Sequence, residues 1–155
     1  MSKTPVRRYV RRHPKTPTSE VRRAVRTLGR LKEDSDLKHV CDVQLSEEPS
    51  QVMPPFSQGN CCRVNVEPRD SQDEVAAAFT LRHEGIHARV IAKQGPQAVK
   101  YERGEWHEIE AHEETAKFGR KWLKRERSES KRRRIREEIE EEERAIRLLR
   151  SGMAR

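Results

Sequence analysis

Two histidines four residues apart, with a glutamate directly after the first, are the residues best suited to chemistry in this chain: His83-Glu84-Gly85-Ile86-His87. On a helix, residues i and i+4 project from the same side, so both imidazoles can reach one zinc ion. Glu84 stands about 100° round the helix from His83, which keeps it from joining them as a ligand but lets it reach a water on that metal. Zinc lowers the pKa of such a water towards about 7 and polarises a scissile carbonyl, while a nearby carboxylate can shuttle the proton. The spacing predicts one Zn2+ per chain held by His83 and His87, with Glu84 as catalytic base. The bland alternative is a pair of solvent-facing histidines on a surface helix.

The surrounding sequence speaks for a packed helix. Ser71 and Glu74 form a capping box, acidic residues suit the positive start, and Gly95-Pro96 ends the run. A helix over 72–94 is predicted, with Val75, Phe79, Ile86 and Val90 on one face. A catalytic zinc needs a third protein ligand and one open position. Downstream, Gly104-Glu105-Trp106-His107-Glu108-Ile109-Glu110-Ala111-His112 opens a second helix running to about Arg127. There Ala111, Thr115, Phe118 and Trp122 make an apolar stripe that should pack on the first helix. Glu110 lies beside that stripe, one turn after His107 and one turn before Glu114.

These residues carry a family resemblance. Thr80, Leu81, Gly85, Ile86 and Ala88 match the extended zincin pattern around HExxH, and Arg89 departs from it, because a hydrophobic residue is usual there. The metzincin arrangement would require Gly and His at positions 90 and 93, where Val90 and Lys93 stand. A deformylase would want a Glu-Gly-Cys segment, which Asn60-Cys61-Cys62 does not supply. An HExxH helix followed by a helix opening Glu-x-Glu-Ala resembles the gluzincin metallopeptidases, closest to the ImmA/IrrE family and to minigluzincin peptidases, over roughly residues 60–125. The resemblance implies that the Glu before Ala is the third ligand, which maps onto Glu110. The family's phenylalanine four residues further on is replaced by Glu114, which leaves Glu108, His107 and His112 in play as ligands. For the oxyanion stabiliser, His107 and Tyr101 are the alternatives.

Around this centre the chain is highly charged. Only 32% of the 155 residues are hydrophobic and 39% are charged, so one modest domain is expected. Residues 1–32 hold eleven Lys/Arg against Glu20 alone, a net +10 in a chain of +8, so the remainder is net −2. Such an arm suits a polyanion, and Arg7, Arg8, Arg11 and Arg12 are the expected nucleic-acid contacts; a solubilising tail is the plain alternative. Nothing resembles a membrane span or a secretory signal. Cys41, Cys61 and Cys62 are an odd count with an adjacent pair, a poor disulfide framework, so they are read as small buried hydrophobes in a cytoplasmic protein.

The remaining elements follow from periodicity. Thr18 or Ser19 caps a helix over 20–32 with Val21, Ala24, Val25, Leu28 and Leu31 inward. Strands are expected at 38–45, with Cys41, Val43 and Leu45 on one side, and at 61–66, with a loop over 46–60 between them. A last helix over 130–150 presents Ile135, Ile139, Ile146 and Leu149 as a narrow seam, with Glu140–Arg144 and Glu143–Arg147 pairs outside it. The expected fold is α+β and zincin-like: an N-terminal helix and a small antiparallel sheet over the HExxH helix and the glutamate-bearing helix. Its boundaries are a basic arm at 1–18, a metallopeptidase domain at 19–127 and a charged C-terminal helix at 128–155. An extended peptide or protein substrate would add to an edge strand at 61–66. The competing reading is a non-catalytic, nucleic-acid-associated regulatory protein on an inactive zincin scaffold.

Overall fold

The computed structural model describes residues 14–53, 61–95 and 104–153. It is an α+β fold whose described residues form four α-helices and a three-stranded mixed sheet. Helix α1 (Ser19–Arg30) begins where Thr18 accepts from the Val21 N–H at 3.2 Å, and Val21, Ala24, Val25 and Leu28 are buried at helical spacing. A 3-10 turn, Ser35–His39, leads into β1 (Val40–Leu45); β2 (Gln51–Met53) and β3 (Cys62–Val66) follow. A second 3-10 turn, Pro68–Ser71, precedes α2 (Glu74–Gln94), and α3 (Gly104–Arg125) and α4 (Glu129–Met153) complete the chain. No helix among the described residues is long and apolar enough to cross a membrane.

The sheet departs from expectation in three ways. Its order is β1-β3-β2, with β1 parallel and β2 antiparallel to β3, so it is mixed and not antiparallel. β3 is therefore the central strand, and the proposed strand addition along 61–66 has no free edge to use. β2 falls inside the stretch expected to be loop. In β1 the register slips between Val40 and Asp42, a bulge that breaks the two-residue alternation. Val40 and Val43 face the core as a result, while Leu45 is 44% exposed. The same irregularity accompanies a disulfide between Cys41 and Cys61, whose Cα atoms lie 5.4 Å apart. Only Cys62 remains the buried thiol that all three were expected to be. Lys15 also belongs to this layer: its N–H donates to Cys41 O and its carbonyl accepts from Val43, which shortens the basic arm from the side of the fold.

Helix α2 runs through the middle of the domain. Asp73, not Ser71, caps it, accepting from the Ala76 N–H at 2.8 Å, while Ser71 closes the preceding turn by donating to Pro68 O. Glu74 is thereby free to accept from Thr27 of α1 at 2.5 Å and from Lys131 of α4 at 3.0 Å. Gly95 ends the helix with φ +91, a conformation that favours glycine. Phe79 of α2 meets Phe118 and Trp122 of α3, ring centroids 5.4 and 6.4 Å away. Ile135 and Ile139 of α4 are buried in the same core. A Cβ on Gly119 would stand 2.6 Å from Phe79 and 2.7 Å from Ile139, so the missing side chain is what lets α3 approach both. The C-terminal helix thus folds back as part of the domain. Its outer charges pair differently from expectation: Arg144 meets Glu141, and Glu143 meets Arg120 of α3.

Candidate metal centre

The buried middle of α2 presents His83 and His87 one turn apart, their Nε2 atoms 3.1 Å from each other. Glu108, in the second turn of α3, lies across from both: Oε1 is 3.0 Å from His83 Nε2 and Oε2 is 3.1 Å from His87 Nε2. Three ligand-type atoms from two helices therefore converge on one point. A tetrahedral zinc with ligands at about 2.0–2.2 Å sets those ligands about 3.3 Å apart, within a few tenths of an ångström of these separations. The donor set, two imidazoles and a carboxylate, fits zinc.

Burial keeps His83 neutral, lowering its pKa below the usual imidazole value against the opposing pull of Glu108. A neutral imidazole is the form that binds a metal. Burial alone would raise the Glu108 carboxyl, but hydrogen bonds from His83 and His87 hold it well below the usual carboxylate range. One ring nitrogen of the pair, His87 Nδ1, is buried without a hydrogen-bond partner.

The expected third ligand, Glu110, is not in this cluster; it is exposed on the other side of α3. Two residues are about 200° of helix, so Glu108 and Glu110 cannot both face α2. Ala111 and Thr115, both fully buried, fix which side turns inward. His107 is half-buried and its Nε2 has no partner. Tyr101, and the arm residues Arg7, Arg8, Arg11 and Arg12, lie outside the described residues.

Glu84 is 7% exposed and lines a cleft of about 270 Å³ together with His83 and His112. Burial first, then the negative charges of Glu108, Asp70 and Glu142, push its pKa well above that of an ordinary carboxyl. His112 follows Glu108 by one turn, with Nε2 3.7 Å from Glu108 Oε1 and its ring 4.5 Å from that of His83. Its Nδ1 is 2.7 Å from Glu142 Oε1, which comes from α4. His83, His112 and Glu142 form a second group of ligand-type atoms, sharing His83 with the first.

Glu142 is the site residue that sequence reasoning passed over. Its signal was present: it is three residues after Ile139 and four before Ile146, a carboxylate at a position of the apolar seam. Asp70 gave no comparable signal, since a turn of no regular period brings it to the cleft. In comparisons with known proteins, no family model, no curated protein and no solved structure matches this chain.

Proposed function

We propose that this chain is a zinc-dependent metallopeptidase in which His83, His87 and Glu108 hold the metal. The observation that carries the reading is the convergence of these three donors within 3.1 Å of one another, beside a buried carboxyl that has no hydrogen bond or ion pair among the described residues. When bound there, zinc would polarise a carbonyl oxygen and acidify a water, which is the chemistry peptide hydrolysis requires. Glu84 accepts the proton of the attacking water and returns it to the departing amine. A carboxyl whose pKa burial raises well above the ordinary value suits that exchange, because the group must be a competent base and then a competent acid. His112, steadied through Nδ1 by Glu142, is placed to donate from Nε2, when both ring nitrogens carry protons, to the negative oxygen that develops as the carbonyl is attacked. It takes the role for which His107 and Tyr101 were the sequence-based alternatives.

The test is cleavage of denatured casein by the zinc-loaded chain beside its Glu84→Gln form. Glu84→Gln should keep the metal and lose about 10²- to 10⁴-fold in kcat. A wild-type protein that binds one zinc and cleaves no protein or peptide would overturn the enzymatic reading and leave the non-catalytic scaffold in its place.

A further inference from the structure

The cleft beside the metal centre carries a charge opposite to that of the whole molecule. In a chain of net charge +8, five acidic side chains line it among the described residues: those of Glu67, Asp70, Glu84, Glu138 and Glu142. Among the described residues the one lysine or arginine in its wall is Arg69, whose side chain is 75% exposed and paired with Glu67 at 3.3 Å, so water screens it strongly. The other carboxylates are held individually: Ser50 donates to Asp70, Arg134 to Glu138, and His112 meets Glu142. A carboxylate has acceptor sites for about four hydrogen bonds, so each retains capacity.

Glu84 supplies the second, independent indication. It is more than nine-tenths buried, lines the same cleft, and has no hydrogen bond or ion pair among the described residues. The hydrogen-bonding capacity of its carboxyl is not filled by any described residue, and a donor entering the cleft would fill it. Phe79 and Pro49 add apolar wall. A bare metal ion has no use for such a wall, whereas the methylene stem of a long basic side chain does.

We infer that this cleft is a specificity pocket for a cationic side chain, a lysine or arginine of the substrate next to the bond that is cut. The inference rests on the metallopeptidase reading for the word substrate, but not for the binding itself. Carboxylates around a desolvated ammonium or guanidinium give charge-assisted hydrogen bonds, and an acidic side chain in the same place meets repulsion.

Binding is measured on the zinc-loaded, full-length Glu84→Gln chain, which keeps four of the five carboxylates and should not turn over. The probes are acetyl-Ala-Lys-Ala-amide, its norleucine counterpart of similar length without the charge, and the norleucine peptide with a free N-terminus. The lysine probe should bind about tenfold more tightly than either norleucine peptide, and the advantage should shrink with added salt. Adding Glu138→Gln or Glu67→Gln should remove several-fold of that advantage while leaving the acetylated norleucine peptide unchanged. Equal binding of the lysine and norleucine probes overturns the proposal. So does a preference for the free N-terminus, or a second equivalent of zinc that displaces the lysine probe from the cleft. A chain that binds the lysine probe as expected, while its wild-type form cleaves nothing, would overturn the peptidase reading alone.

Discussion

Arg89 Nη2 donates to Glu114 Oε2 at 2.9 Å, joining α2, the helix of His83 and His87, to α3. These are the two positions at which the sequence departs from the pattern it resembles, where hydrophobic residues were expected. Each departure answers the other. Arg89 and Arg82 also both reach Asp36, which is 6% exposed in the turn before β1. The helices α2 and α3 are therefore pinned behind the site by a charged network where an apolar contact would serve.

Replacing Arg89 by Leu should cost about 1–3 kcal/mol, because it leaves Asp36 and Glu114 short of a donor in a partly buried place. Adding Glu114→Phe should recover part of the loss. Urea denaturation of the two single variants and the double variant measures the coupling; strictly additive effects would mean that the pair is not acting as a unit.

Much of the fold was legible because its signals are local. The inward stripe of α1, the Gly95 stop and the alternation of Cys62, Val64 and Val66 need nothing beyond periodicity and capping. The meeting of His83 and His87 was legible for the same reason, since i, i+4 spacing determines which side chains share a face. The carboxylate that meets them was not, because choosing between Glu108 and Glu110 depends on the rotation of α3 against α2, a tertiary property. The bulge in β1 and the parallel pairing of β1 with β3 are tertiary as well, and with them went the expectation of a free edge at 61–66. The Cys41–Cys61 pairing escaped composition because an adjacent pair of cysteines hides which of the two turns outward.

The pH dependence of stability should carry the signature of Glu33. Burial would raise its carboxyl, but hydrogen bonds from Lys121 and Arg82, at 2.9 and 3.0 Å, bring the pKa below the usual carboxylate value. A lowered folded-state pKa contributes stability that is present above the ordinary value of 4.5 and is lost as pH falls through the folded value. Glu33→Gln should therefore lower stability at pH 7 by an amount on the order of 1 kcal/mol, read as a lower Tm, and its deficit should shrink as the pH is brought towards 3. A deficit that is the same at both pH values would show that Glu33 is not held by charge.

The basic arm can be tested without disturbing the fold if the cut stops before Pro14, since Lys15 is bonded to β1. Deleting residues 1–13 removes five of the eleven basic residues in the first 32. If the arm binds nucleic acid, the deletion should weaken DNA or RNA binding and flatten the slope of log K against log salt by up to about 4 units. Unchanged affinity and slope would make the arm a solubilising tail.

The most direct measurement is the zinc content of the purified chain, by elemental analysis after dialysis against a weak chelator. One zinc per chain is expected in the wild type and in Glu110→Ala, with retention lost in His83→Ala, His87→Ala and Glu108→Ala. Full zinc retention by the double histidine variant would contradict the metal centre outright. Loss of zinc in Glu110→Ala with full retention in Glu108→Ala would contradict the geometry proposed for it.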